Sequence, residues 1–226
     1  MENKYPTLMY ERSLWEIGYT HIAGIDEAGR GAWAGPVCAA ALILPPNPAI
    51  IDTLDQVRDS KLMSAYARET WAPIIRKAAQ AWGIGFATSQ EIDRLGILPA
   101  TKLAATRAMA ALCSSTYAPP GHSSAASPLL DLTTQSPDYL LTDYLVFPEL
   151  EWNQTALIKG DRLSLSVAGA SVLAKTARDE FMRAMDRRYP GYAFARHKGY
   201  GTRIHTQAIR ELGLCEIHRK SFAIPR

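Results

Sequence analysis

Two short apolar runs, residues 21–27 and 37–44, stand on either side of a glycine-rich turn, and the second is closed by Pro45-Pro46. Apolar runs of this length bounded by turn and breaker residues suit buried strands, so the stretch predicts a β-hairpin. The first run ends in two acids, Asp26 and Glu27, followed at once by Ala28-Gly29-Arg30-Gly31. The fold must therefore accept concentrated negative charge where a strand leaves the core. An isolated Asp-Glu pair is usually a solvated strand terminus, and a functional role needs support from elsewhere in the chain.

A glycine-rich turn after a strand can also cradle a pyrophosphate. The spacing of Gly29, Gly31 and Gly35 is one residue too long for that fingerprint, and two acids ahead of the turn would repel a phosphate unless a cation lay between them.

Further along, Ser64 can cap a helix running to about Trp82, with Pro73 expected to kink or split it. Gly83 to Thr88 reads as a third strand, and Ala100 to Leu112 as an Ala- and Leu-rich helix. Residues 114–138, rich in Ser, Pro and Thr, predict a long exposed loop. Tyr139 to Asp143 is an apolar strand ending in an acid, and Thr155 to Lys159 is another ending near Asp161. A helix from about Val167 to Tyr189 follows, with Ala170, Leu173, Ala177, Phe181 and Met185 as its core stripe. A hairpin followed by alternating strands and helices implies a mixed α/β sheet with helices on its faces. At 226 residues the chain predicts one domain, with an α/β core over about 18–188 and a C-terminal segment, 189–226.

That last part of the chain is basic. From Lys175 onward twelve Lys and Arg stand against five Asp and Glu, with aromatics and glycines interleaved in Tyr189-Pro190-Gly191-Tyr192-Ala193-Phe194; the mixture suits a nucleic-acid backbone. Cys38, Cys113 and Cys215 are odd in number and widely spaced, which argues against a disulfide framework or zinc site and for a reducing compartment, the cytoplasm. No apolar stretch approaches the roughly 18 residues of a membrane span, so no membrane association is expected.

Three predicted strands thus end at or beside acids: Asp26 with Glu27, Asp143, and Asp161. Ligand sites in α/β sheets gather beyond strand ends, so these acids can converge. Four adjacent carboxylates repel one another unless protonated or bridged by cations, and oxygen-only ligation suits Mg²⁺ or Mn²⁺. Two such ions about 3.5–4 Å apart can promote in-line hydrolysis of a phosphodiester.

On these segments the sequence resembles ribonuclease HII: Gly24-Ile25-Asp26-Glu27-Ala28-Gly29-Arg30-Gly31, Asp59-Ser60-Lys61, Lys159-Gly160-Asp161, Ala168-Gly169-Ala170-Ser171 through Lys175, His197-Lys198-Gly199-Tyr200-Gly201, and His218-Arg219-Lys220-Ser221-Phe222. The matches run in family order over about residues 20–222. The resemblance implies an α/β, RNase H-like mixed five-stranded sheet flanked by helices, with a helical C-terminal extension that binds substrate. It implies an endoribonuclease cutting the RNA strand of RNA/DNA hybrids and single ribonucleotides embedded in duplex DNA, by two-metal-ion hydrolysis that leaves 5′-phosphate and 3′-hydroxyl ends. Asp26, Glu27, Asp143 and Asp161 would be the metal-binding, catalytic acids, with Mn²⁺ or Mg²⁺ as cofactor. Gly29, Arg30 and Gly31 would read the ribose 2′-hydroxyl, Tyr200 would pack on the sugar, and Lys61 and Lys198 would touch phosphate.

Asp143 departs from the family pattern, reading Leu141-Thr142-Asp143-Tyr144 behind the long Ser/Pro segment. Asp138 fits that place less well, and Asp179, a rival for the fourth acid, is expected to play a structural part on its helix. His197 and His218 are expected to be hydrogen-bonded structural residues. The end of the chain shows no Gln-x-x-hydrophobic-x-x-aromatic-aromatic signature, so no sliding-clamp-binding tail is expected, and the protein is expected to be a monomer. The competing readings are a nucleic-acid-binding protein without catalysis and a nonspecific phosphodiesterase.

Overall fold

The computed structural model describes residues 5–114, 136–148 and 152–225. In chain order the helices are α1 (Met9–Glu16), α2 (Ile50–Thr53), α3 (Ala65–Ala78), α4 (Ser89–Leu95), α5 (Ile97–Ser114), α6 (Gly160–Leu163), α7 (Leu165–Arg188), α8 (Phe194–His197) and α9 (Arg203–Leu212). The strands are β1 (Ile22–Ala28), β2 (Val37–Ile43), β3 (Ala81–Ala87), β4 (Tyr139–Asp143) and β5 (Asn153–Leu157), in the sheet order β3-β2-β1-β4-β5. Pairs β1–β2 and β2–β3 are antiparallel, whereas β1–β4 and β4–β5 are parallel. This is the mixed five-stranded sheet flanked by helices, and the hairpin is β1–β2.

Every residue of β2 is fully buried, and its side chains divide between two cores. Cys38, Ala40 and Leu42 join α7 and α3 residues on one face. Val37, Ala39, Ala41 and Ile43 join α5 on the other. A strand covered on both faces has no reason to alternate apolar with polar residues, which is why 37–44 reads as an unbroken apolar run. The opposite face owes its closeness to small residues. A Cβ at Gly83 would lie 2.1 Å from the Ala108 carbonyl oxygen, and one at Gly85 would lie 2.2 Å from that of Ala104. The alanine side of α5 therefore rests directly on the β3 backbone.

Several expected boundaries move. Helix α3 begins at the Ser64 cap as expected and continues through Pro73, but it stops at Ala78, because Ala81 and Trp82 already pair with Ile43 and Leu42. Strand β5 lies two residues earlier than expected, and Asp161 sits in α6 beyond it. On α7, Ala170, Leu173 and Ala177 are core, but Phe181 and Met185 are only half-buried, and Met182 takes the fully buried place among the C-terminal aromatics. Most of the Ser/Pro-rich stretch lies outside the described residues. Among the described residues no helix is long and apolar enough to cross a membrane.

Helix α1 had no counterpart in the sequence reading, and its anchor is a buried acid. Glu11 is 1% exposed, and its Oε1 accepts hydrogen bonds from Ser164 Oγ (2.6 Å), Ser166 Oγ (2.7 Å) and Ser166 N (3.0 Å) at the start of α7. Glu11→Ala is expected to remove the acceptor shared by three buried donors, of which the two serine hydroxyls 3.0 Å apart can recover one bond between them, and to cost about 2–4 kcal/mol in urea unfolding. A loss under about 0.5 kcal/mol would show that α1 is not held this way.

Candidate active site

Asp26 and Glu27 lie inside β1, which continues to Ala28, and not beyond its end. Register then brings in the third acid. Ile25 pairs with Thr142 across the parallel β1–β4 ladder, so Asp26 and Asp143, each one residue further, stand on neighbouring strands at the same end of the sheet. Asp143 Oδ1 accepts a hydrogen bond from Gly160 N at 2.8 Å, fixing the start of α6 and with it Asp161. Two non-glycine residues beside these acids, Tyr144 and Lys159, have left-handed backbone (φ 65° and 59°). Such positions are uncommon and are held only by surrounding structure; here Tyr144 directly follows Asp143, and Lys159 stands two residues before Asp161.

The four acids feel one another. Asp26, 2% exposed, has its pKa pushed well above the ordinary carboxylate value by burial first and then by the charge on Glu27, with Asp143 adding to it. Burial raises Glu27 as well, against the pull of Arg30, whose Nη1 lies 3.2 Å from Glu27 Oε1. Asp161 is pushed up to about 6 by burial and by Asp59 and Asp143. Asp26 Oδ2 and Glu27 Oε2 are buried without a hydrogen-bond partner. Unsatisfied buried carboxylate oxygens are costly, and hard oxygen donors facing mutual repulsion are what a divalent cation relieves. The donor set thus fits Mg²⁺ or Mn²⁺, although among the described residues no three acid, His or Cys side chains are drawn together as they stand around a single ion position.

Lys61 is a cation of this cluster. Burial lowers its pKa, but Asp26, Asp161, Asp59 and Asp143 outweigh that and raise it, and its Nζ lies 3.8 Å from Asp161 Oδ2. The Asp59 carboxylate holds the Lys61 loop by accepting from Lys61 N (2.9 Å) and pairing with Arg162 (3.3 Å). Asp59, which entered above only as part of a motif, is thus a further buried acid that acts on Asp161.

Glu27, Gly29, Arg30, Gly31, Lys61 and Tyr200 line one cleft of about 320 Å³ together with Lys175. Gly29 must be glycine: its φ is +96°, and a Cβ there would lie 1.9 Å from Arg178 Nε. The Tyr200 ring is flanked by Lys175 Nζ at 5.6 Å and Arg178 Cζ at 5.3 Å, both within cation–π range. Lys198 does not line this cleft. Its backbone is left-handed (φ 54°), and its ammonium donates to the Ala195 carbonyl, whereas Lys175 lines the cleft. The signal for Lys175 was its motif, which ends on it.

Asp179 is held away from the acids by two cations, Lys175 Nζ (2.6 Å) and Arg68 Nη2 (3.1 Å). Arg68 also donates to the carbonyls of Ser60 (2.9 Å) and Met63 (2.6 Å), so Asp179 ties the Lys61 loop to the lysine beneath Tyr200. Asp138 lies at the opposite end of β1, accepting from Thr20 N (2.8 Å) and His21 N (3.1 Å). His197 and His218 are structural. They form a buried group with His205, whose Nε2 is 3.1 Å from His218 Nε2, and burial lowers all three below the ordinary histidine value.

A family model described as Ribonuclease HII matches residues 23–224. Ribonuclease HII of Myxococcus xanthus (strain DK1622) is 44% identical over 216 residues, covering 96% of this chain and 66% of that protein. Ribonuclease HII of Syntrophotalea carbinolica (strain DSM 2380 / NBRC 103641 / GraBd1) is 46% identical over 215 residues, covering 95% of this chain and 91% of that protein. Among solved structures, Bst-RNase HIII in complex with Mn²⁺ superposes with a TM-score of 0.64 at 20% identity, over 94% of this chain and 70% of that one; this likeness concerns the fold. A family match that begins in β1 and reaches past Phe222 takes in all four acids, the glycine turn and Tyr200, and the chain belongs to the ribonuclease HII family.

Proposed function

We propose that this chain is a metal-dependent endoribonuclease acting on the RNA strand of RNA/DNA hybrids and on single ribonucleotides embedded in duplex DNA, leaving 5′-phosphate and 3′-hydroxyl ends. The observation that carries this reading is the gathering of four mutually repelling carboxylates beside a cleft walled by a glycine turn and an aromatic ring. Asp26, Glu27, Asp143 and Asp161 would hold Mn²⁺ or Mg²⁺. Bound there, two such ions would activate water and stabilise the leaving oxygen of an in-line displacement.

The chain's own residues supply position and selectivity. The backbone of Gly29 to Gly31 reads the 2′-hydroxyl, the only group that separates RNA from DNA at one nucleotide. Tyr200 packs on the sugar at the RNA-to-DNA junction, and Lys61 and Lys175 offer their charges to the phosphates flanking it. The basic C-terminal segment, 189–226, orients the duplex through its backbone. All three cysteines are free thiols, in keeping with a cytoplasmic site of action.

A gel assay on a DNA duplex, a long RNA/DNA hybrid and a duplex with one ribonucleotide, each with and without Mn²⁺ or Mg²⁺, tests the reading. Metal-dependent cutting of the last two is expected. Cutting of plain DNA would indicate a nonspecific phosphodiesterase, and binding without cutting would indicate a binder. In the same assay Tyr200→Ala is expected to lose about 1–3 kcal/mol of kcat/KM, the scale of an aromatic stack, on the single-ribonucleotide substrate and less on the long hybrid. Equal losses on both would remove the junction role.

A further inference from the structure

Arg219 is fully buried in the segment after α9, yet its guanidinium reaches the glycine turn at the far end of the sequence. Its Nη2 donates to the Gly29 carbonyl at 2.7 Å, its Nη1 to the Arg30 carbonyl at 2.7 Å, and its Nε to the Gly35 carbonyl at 2.9 Å. The Phe222 ring lies beside it, 5.1 Å from Cζ to centroid. Backbone bonds seat the same segment, Gly35 N donating to Ile217 O at 2.8 Å and Arg219 N to Trp33 O at 2.8 Å.

A glycine turn has little side-chain packing of its own, so its peptide planes must be fixed from outside. A trans peptide is planar and points its C=O and the following N–H in opposite directions. By holding the carbonyls of Gly29 and Arg30, Arg219 therefore directs the N–H groups of Arg30 and Gly31 away from itself. Among the described residues neither N–H has a protein acceptor, Gly31 has open space around its Cα, and both residues line the cleft with Tyr200. Two aligned donors are thus presented to whatever oxygen enters.

We infer that Arg219 is the positioning residue for ribose selection, its three hydrogen bonds aiming the Arg30 and Gly31 amides at the 2′-hydroxyl and its neighbouring phosphate. This deepens the ribonuclease reading and rests on it. A second buried arginine completes the frame: Arg178 donates to Pro36 O (2.9 Å), Ala34 O (3.1 Å) and Lys198 O (2.9 Å), tying the end of the turn to the Tyr200 loop. The planar fork of arginine spans three carbonyls at once, which a lysine ammonium cannot do.

The test is binding in EDTA, where no hydrolysis occurs, of a duplex with one ribonucleotide and of its all-DNA counterpart, for wild type and Arg219→Lys. Wild type is expected to prefer the ribonucleotide roughly five- to tenfold, the worth of one or two net hydrogen bonds. Arg219→Lys is expected to bring that ratio to within about twofold of unity, with a smaller loss of affinity for the all-DNA duplex, which shares the neighbouring phosphate. An undiminished ratio in the variant would overturn the assignment. Wild-type cleavage of the same duplex in Mn²⁺ is measured alongside, and its absence would refute the ribonuclease reading itself. Should Arg219→Lys fail to fold by circular dichroism, Phe222→Leu, which removes the ring beside the guanidinium, carries the test: a reduced ratio supports the role and an unchanged one overturns it.

Discussion

Asp26→Asn is expected to abolish cleavage of a ribonucleotide-containing duplex, by roughly 10³-fold or more, equivalent to about 4 kcal/mol in the barrier, and at the same time to make the metal-free protein more stable. The two effects share one cause. Asp26 is buried, has an oxygen without a partner, and sits beside Glu27 and Asp143, so its charge is costly until a cation compensates it. A carboxyl whose folded pKa lies above its unfolded value binds its proton more tightly when folded. The stability it contributes is therefore greatest below the unfolded pKa and falls as pH rises through the folded one. Asp26, Glu27 and Asp161 are all raised, Asp161 to about 6. In EDTA the wild-type melting temperature should thus decline as pH climbs from about 4 through 6 and beyond, and Asp26→Asn should decline less. Near neutral pH the variant should melt several degrees higher, since about 1 kcal/mol moves a chain of this size by roughly 2–4 °C. Mn²⁺ should reverse the order by stabilising wild type alone, about 2.7 kcal/mol at a hundredfold excess over Kd. Near-normal cleavage by the variant, or equal stabilisation of both proteins by Mn²⁺, would remove Asp26 from the metal site.

What could be read in the chain follows from how local each signal was. The hairpin was legible because β2 is covered on both faces and is bounded by glycines and Pro45-Pro46. The acids were legible because each sits near the end of an apolar run. Strand β5 was misplaced by two residues because it is a half-exposed edge with no alternation to follow. The end of α3 was missed because apolar residues continue into β3 across a gap of two residues, leaving periodicity nothing to mark. Glu11 gave no local sign, and Arg219 stood in a motif that did not reveal its role, because the carbonyls and hydroxyls that these two residues and Arg178 bind lie mostly 142 to 190 positions away. Lys198 stands apart from the cleft lining, its ammonium donating to the Ala195 carbonyl.

Gly24→Ala is expected to be a severely damaging small substitution outside the acids. The added Cβ would lie 2.3 Å from the Ser166 carbonyl carbon, 2.5 Å from Val167 N and 2.6 Å from Ser166 O. All three are backbone atoms, so no side chain can swing aside and the first turn of α7 must move off β1. That turn is pinned by the Ser164 cap, whose Oγ accepts from Val167 N at 3.3 Å, and by Glu11. The strain therefore has no inexpensive release, and a loss of about 3 kcal/mol or more is expected, at the upper end for an overpacked core. Activity should fall further than stability alone dictates, because α7 also carries Ser171, hydrogen-bonded at 2.8 Å to Ser60 of the Lys61 loop, as well as Lys175, Arg178 and Asp179. A shift of the helix would displace the loop and the Tyr200 ring together. Gly31→Ala is the matched control for stability: with open space around it, it should change the unfolding free energy by no more than about 0.5 kcal/mol. Urea unfolding at a common m-value separates the two, and comparable losses at both glycines would show that the β1–α7 approach is not the tight contact on which the site is built.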